Sequence, residues 1–155
     1  MGSVPVKLSS TEQALLLPEI AVFMAALHDP LARARYQELR EQVEAGEIAD
    51  DFLPRLATIL EIGLQSGRIR QQYGADGEQE LTRLFHRTPA GAALAAGAAA
   101  VTEALAALHS QVIDRIQVTV RGPGSYSLLI DTDRCQISIS IDRGGVRVEN
   151  VAIGV

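Results

Sequence analysis

The sequence contains few of the residues that mark the commonest functional sites. It has one cysteine, so an internal disulfide is impossible and a reducing, cytoplasmic location fits best. It has no tryptophan and only 4% aromatic residues, which argues against a surface that stacks nucleic-acid bases. The formal net charge of −5 argues against a general affinity for nucleic acid or for anionic membranes.

Lysine is also nearly absent, because thirteen of the fourteen basic residues are arginines. We attribute this bias to genome composition of a bacterial-like kind. Basic residues are concentrated in residues 67–89, which carry four basic and three acidic groups, whereas residues 1–66 carry five basic and ten acidic groups. With 47% hydrophobic and 21% charged residues in a chain of 155, the composition predicts a folded protein of ordinary domain size.

Two apolar stretches are the candidates for a signal sequence or a membrane span. Residues 14–27 are interrupted by Pro18 and Glu19, and they are shorter than the roughly 20 residues that a span needs. Residues 89–108 are long enough, but alanine is only weakly apolar and Glu103 would lie in lipid. We therefore expect a soluble protein with no membrane partner.

The first two thirds of the chain has the periodicity of helices. Ser10 and Gln13 have the spacing of a capping box for a first helix, which Pro18 either kinks or restarts. Thr88 and Pro89 predict the start of a long alanine-rich helix that runs to about residue 113. Nearly every face of that helix is apolar, so we expect it to be the buried central helix. The alternative is a helix that pairs with its copy in a second subunit.

From Asp114 onwards, apolar and polar residues alternate, which is typical of strands with one buried face. Four such segments predict an antiparallel meander whose apolar face packs on the alanine-rich helix. Residues 151–155 lose the alternation, and either extend the last strand or dock elsewhere. The predicted fold class is therefore α+β: a helical part over residues 1–113 and a meander over residues 114–155, within one compact domain.

A search for catalytic and metal-binding patterns finds none. The three histidines lie on different predicted helices, and the sequence has no CxxC pair and no glycine-rich phosphate-binding loop. Asp131, Asp133 and Asp142 have the positions of polar turn residues, and Cys135 has that of a buried, unreactive thiol. We expect no metal and no cofactor. Whether the chain is an enzyme is left open, with the balance against it.

One cluster of basic residues is a candidate anion-binding site. It flanks the predicted start of the long helix, whose free N–H groups carry partial positive charge, and it consists of Arg68, Arg70, Tyr73, Arg83, His86, Arg87 and Thr88. The alternative is a set of ion pairs, in which Arg83 binds Glu80 while Arg68 and Arg70 bind the acidic first half of the chain.

No motif resembles that of a known family. The leading hypothesis is a non-enzymatic interaction or assembly protein that forms a homodimer or higher oligomer and also contacts an unidentified protein. Free strand edges and the apolar C-terminal segment motivate the self-association. A second hypothesis is a binding module for a small anion at the arginine-rich cluster. A third is an enzyme that uses His86 as an acid or base.

Overall fold

A computed structural model describes residues 4–154 of the chain. The helices and strands of this part follow one another along the sequence: β1 Val6–Lys7, α1 Ser10–Ala26, α2 Pro30–Ala45, β2 Glu47–Ile48, a 3₁₀ turn Asp50–Phe52, α3 Leu53–Gln65, α4 Arg68–His86, α5 Pro89–Ala106, β3 Ile113–Gly122, β4 Ser125–Thr132, β5 Cys135–Asp142 and β6 Gly145–Ile153. About 57% of the chain is helix and 26% is strand, so the predicted α+β class is confirmed.

The chain divides into two compact units, Met1–Ala92 and Ala93–Val155. The division falls within α5 and not at residue 113, where the sequence pattern changes from helix to strand. The expectation of one domain stays a prediction.

The first unit has a core of large aliphatic side chains from its four helices. Its fully buried members include Leu16, Ile20, Leu39, Leu56, Ile59, Leu60, Ile69, Leu81 and Leu84. A short antiparallel ladder, Val6 opposite Ile48, ties the start of the chain to the segment after α2. Sequence analysis did not predict this ladder.

The start of α1 differs by one residue from the prediction. Ser9 is the N-cap: its hydroxyl accepts from the Glu12 N–H at 3.1 Å, and the Glu12 carboxylate accepts from the Ser9 N–H at 2.9 Å. The predicted Ser10–Gln13 pair was therefore wrong. Gln13 instead donates its side-chain amide to the carbonyl of Val43. Pro18 lies inside a continuous helix.

A kink at Gly74 divides α4 into two segments. Its backbone has φ 73° and ψ −173°, which is outside the helical region and favours glycine. The residues on either side are helical, so the break in α4 is confined to this single position. Arg68 and Arg70 lie on the segment before Gly74, and Arg83 lies on the segment after it.

The second unit contains the predicted meander. Its strands lie in the order β3-β4-β5-β6, and all neighbours are antiparallel. Val118 lies opposite Leu128, Leu128 opposite Ile139, and Ile139 opposite Val148. Directly opposite residues share a face, so these residues lie on one apolar face of the sheet. The apolar residues after Asn150 extend β6 as far as Ile153, as one of the two expectations for this segment predicted, and Val155 lies outside the described residues.

Helix α5 packs on this face, but it is not a buried central helix. Val101, Leu105 and Leu108 join Ile137 and Ile139 in the core of the unit. Within α5, Gly91 and Val101 are the buried positions, and most of the alanines are exposed. The helix also ends at Ala106 and does not reach residue 113. Alanine offers little surface to bury, so an apolar composition did not translate into burial.

By length and composition alone, α5 could cross a membrane: its 18 residues have a mean hydropathy of 1.3. It is the one such helix in the described part of the chain. The structure is compatible with a soluble protein.

Candidate functional site

The seven residues of the predicted anion site lie on α4 and at the turn into α5. The segment before Gly74 carries Arg68, Arg70 and Tyr73. The later segment and the turn that follows it carry Arg83, His86, Arg87 and Thr88. The four arginines pair with four different carboxylates, and Thr88 caps the start of α5. The seven side chains therefore do not share one position.

Arg68 and Tyr73 meet at Glu19, a residue that sequence analysis treated only as an interruption of an apolar stretch. The Glu19 side chain is 1% exposed. Arg68 forms a two-pronged ion pair with it, one prong being a 3.1 Å bond from Nη1 to Oε1. The Tyr73 hydroxyl donates to the same Oε1 at 2.9 Å. A buried carboxylate is tolerated only when it is paired and hydrogen-bonded, so this cluster joins α1 to α4.

Tyr73 is held in its neutral form by this environment. Burial, and then the hydrogen bond that it donates to Glu19, raise the pKa of Tyr73 to about 12. Deprotonation would remove the donated hydrogen bond and place a second negative charge beside the first. Tyr73 is therefore a hydrogen-bond donor at neutral pH.

Arg87 makes a second link between α1 and the end of α4. Its Nη2 lies 2.6 Å from Glu12 Oε1, and its Nη1 donates to the carbonyl of Lys7 at 3.0 Å. Glu12 is a buried carboxylate that also closes the capping box with Ser9. The same carboxylate therefore holds Arg87 and stabilises the start of α1.

The other two arginines form exposed pairs. Arg83 binds Glu80 at 2.8 Å, as the ion-pair alternative predicted, and Arg70 lies 3.8 Å from Glu78. The latter partner is on α4 and not in the acidic first half of the chain. His86 is exposed. Such pairs contribute about 0–1 kcal/mol each.

Thr88 is a structural cap at the start of α5. Its side chain is 1% exposed, its hydroxyl donates to the carbonyl of Phe85 at 2.6 Å, and it accepts from the Gly91 N–H at 3.2 Å. A Cβ on Gly91 would lie 2.0 Å from the same Phe85 carbonyl oxygen. The helix start is therefore packed tightly against the end of α4.

Three further features of the described residues are relevant to chemistry. Within residues 4–154, no three His, Cys, Asp or Glu side chains are grouped so that they could hold a metal ion. The lining of an open groove of about 590 Å³ includes Glu38, Glu41, Glu47 and Phe52. Cys135 is half-buried, and its thiol donates to the side-chain oxygen of Gln111 at 3.3 Å.

The polar face of the sheet is bridged by ion pairs. Arg121 on β3 reaches Glu149 on β6, with an Nη2–Oε2 distance of 2.7 Å. On the same face, hydrogen bonds from Gln136 and from Arg115 lower the pKa of Asp131. These contacts join strands across the polar face.

The apolar face, in contrast, is covered only in part. Every residue of β3 from Ile113 to Arg121 is exposed. Ile116, Val118 and Val120 are 58%, 64% and 67% exposed, and they lie on the face on which α5 packs. Of their opposite neighbours on β4, Tyr126 is 41% exposed, whereas Ile130 is buried and Leu128 packs against the core of the unit. Sequence analysis predicted the apolar face but expected the helix to cover it.

No family model matches the chain, and neither a curated protein nor a solved structure is found to be similar to it. The assignment of function therefore depends on the geometry of the two units.

Proposed function

We propose that the chain is a non-enzymatic interaction protein of the cytoplasm that associates with itself and presents a contact surface to other proteins. The observation that carries the proposal is the exposure of Ile116, Val118 and Val120 side by side on one strand. Single apolar residues at a surface are ordinary, whereas a contiguous apolar patch is typical of an interaction site.

Association would bury apolar side chains that remain exposed in the folded chain, and this burial is favourable. Complete burial of one valine or isoleucine side chain contributes about 1.5–3 kcal/mol, and these three side chains are each more than half exposed. Covering each of them would therefore contribute about 1 kcal/mol towards the cost of association.

The arginine cluster supports a structural role for the first unit. Arg68 and Arg87 are bound to buried carboxylates of α1, and Thr88 is bound to the end of α4. An anion at this site would have to compete with Glu19 or Glu12. Anion binding remains the alternative proposal.

The experiment for the main proposal is sedimentation velocity of the purified full chain over about three decades of concentration, from micromolar upwards. Self-association predicts that the weight-average mass rises from that of a 16.6 kDa monomer towards that of a dimer or higher oligomer. A mass that stays at the monomer value over the whole range would contradict it.

A further inference from the structure

We infer that the outer edge of β3 binds an extended segment of a partner protein, which adds to the four-stranded sheet as a fifth strand. The segment has apolar residues at alternate positions and an acidic residue beside them. The inference rests on the proposed contact surface for other proteins, and it names the place of that surface and the conformation of what binds there. It concerns the second unit alone.

The outer edge of β3 presents unpaired backbone groups. The ten residues of β3 pair with β4 on one side, and within the described part of the chain no strand pairs with the other side. Every second residue of such a strand directs its N–H and C=O away from the sheet. Ile113 to Arg121 are exposed, so these groups face water. A helix has satisfied its own backbone internally, so the complement of this row is another extended backbone.

The edge lacks the features that protect exposed strands from pairing. Natural edge strands are short, or they carry a proline, a lysine, an inward charge or a bulge. From Arg115 to Val120 the register with β4 is regular, and the two register shifts lie at the ends of this run. None of its six residues is a proline or a lysine. The opposite edge strand, β6, is interrupted, because its register with β5 shifts between Val148 and Asn150.

Strand β4 shows which side chains β3 accepts in a neighbour. The apolar residues of the two strands lie opposite each other, in the pairs Ile116–Ile130, Val118–Leu128 and Val120–Tyr126. At the end of this row Arg115 donates from Nε to Asp131 Oδ2 at 2.8 Å. The side chains of β3 stand above and below the sheet, so they are presented to both of its edges. A segment with the pattern of β4 would therefore meet the same apolar row and the same arginine from the outer edge.

Charge selects an acidic segment over a basic one. Arg115 and Arg121 bracket the apolar row, and their side chains are 58% and 49% exposed. Each already holds one carboxylate of the sheet, but an arginine has five N–H donors and can bind a second acceptor. A lysine or arginine on the added strand would instead lie beside a like charge.

The same two arginines disfavour a second copy of this chain at the edge. Antiparallel pairing of two β3 strands matches all three apolar residues only when Val118 lies opposite Val118. That register places Arg115 opposite Arg121 of the other copy, at both ends of the ladder. Like charges that lie directly opposite each other destabilise a strand pair, so a strand of a different protein suits the edge better.

The test uses a synthetic peptide with the sequence of residues 124–133, GSYSLLIDTD, because this strand already pairs with β3. A single added strand is a small contact, so we expect a dissociation constant below about 1 mM but no tighter than the micromolar range. Nuclear magnetic resonance of the full chain should show saturable shifts of β3 amides as the peptide is added. Hydrogen exchange should slow at every second residue between Arg115 and Arg121.

Two controls separate strand addition from other contacts. A peptide methylated on the backbone nitrogens of the residues that correspond to Leu128 and Leu129 carries one methyl group on each of its edges, and it should bind at least about tenfold more weakly. On the chain, Val118→Lys should weaken binding at least about fivefold, whereas Thr119→Lys, on the opposite face of β3, should bind no more weakly than the wild type. Circular dichroism verifies that both variants are folded, and the methylated peptide decides the case if Val118→Lys is not.

Several results would overturn the inference. These are no saturable binding at up to about 1 mM peptide, binding that the backbone methyl groups leave unchanged, and slowed exchange on β6 in place of β3. Slowing of β3 amide exchange with rising protein concentration and no peptide would place a second copy at this edge, and would also overturn it.

Sedimentation velocity tests the proposed self-association independently of the peptide. A chain that stays monomeric but binds the peptide loses self-association and keeps the contact surface. A chain that self-associates but does not bind the peptide keeps self-association and overturns the inference.

Discussion

Glu19 shows how one side chain ties together residues that are far apart in the sequence. It lies 49 positions before Arg68 and 54 before Tyr73, and both donate to it. Sequence analysis could select the basic residues by their local density, but it could not pair them, because the pairing is created by helix packing. The one local signal was an acidic residue within an apolar stretch, which is a costly place for a charge that has no partner.

Removing the partner of this carboxylate should be strongly destabilising. Arg68→Met leaves Glu19, which is 1% exposed in the wild-type chain, with only the Tyr73 hydroxyl as a side-chain donor. Breaking a buried ion pair from one side costs about 3–5 kcal/mol, and the remaining hydrogen bond places this case near the lower end, at about 3 kcal/mol. Urea unfolding at neutral pH measures the loss.

The matched control is Arg83→Met, which removes an arginine of the same helix from an exposed pair with Glu80. Its free energy of unfolding should change by less than about 1 kcal/mol. Equal losses in the two variants would show that burial of Glu19 contributes nothing specific.

Because of Tyr73, the free energy of unfolding of the chain should depend on pH in the alkaline range. Its pKa is about 12 in the folded chain, against 10.0 for an unperturbed tyrosine. Above pH 10 the unfolded chain loses this proton while the folded chain retains it, so the free energy of unfolding falls as pH rises from about 10 to about 12. The contribution is fully present below about pH 10. Urea unfolding at a series of pH values should show this decline.

Tyr73→Phe isolates the effect, because it removes the titrating group and retains the ring. Burial also raises the pKa of Tyr36, and that residue is present in both chains, so its contribution cancels. The wild-type curve should fall more steeply than that of Tyr73→Phe over the alkaline range. Parallel curves would show that Tyr73 does not titrate differently in the two states.

At the scale of elements, the strands were predictable and the helix contacts were not. Alternation from Ile116 to Val148 is a local property, and β3 to β6 follow it. Burial of α5 depends on what lies next to each of its faces, and composition does not contain that information. The β1–β2 ladder was missed for a similar reason, because each of its strands has two residues and depends on a partner some forty positions away.

Substitution of Gly97 tests how closely α5 approaches the sheet. Gly→Ala inside a helix ordinarily stabilises by about 1 kcal/mol. Here the new methyl group would lie 2.7 Å from the carbonyl oxygen of Val146, a backbone atom that cannot rotate away. Gly97→Ala should therefore destabilise the chain, by about 1–3 kcal/mol as in other overpacked sites.

Ala99→Leu provides the control for Gly97→Ala, since it adds more bulk at an exposed position of the same helix. Its free energy of unfolding should stay within about 0.5 kcal/mol of the wild-type value. Thermal or urea unfolding followed by circular dichroism measures both variants. A stabilising Gly97→Ala would mean that the helix lies farther from β6 than described.

At the scale of the whole molecule, the two units differ in net charge. Met1–Ala92 carries nine basic and thirteen acidic groups, a net of −4, whereas Ala93–Val155 has a net of −1. The more acidic unit uses arginines to hold its helices together, and the nearly neutral unit exposes an apolar face. This division assigns the structural role to the first unit and the proposed contact surface to the second.

The ion pairs of the first unit predict how the chain responds to anions. Each arginine of the predicted anion site already has a carboxylate within 4.0 Å, so phosphate would have to displace a carboxylate at each of them. The melting temperature of the full chain should therefore be unchanged, within about 1 °C, by inorganic phosphate at millimolar concentrations, with chloride of equal ionic strength as the control. A saturable rise would support the anion-binding alternative through mass action. If Arg70→Ala/Arg83→Ala abolished that rise while the buried Glu12 and Glu19 pairs stayed intact, the site would be assigned to the exposed arginines of α4.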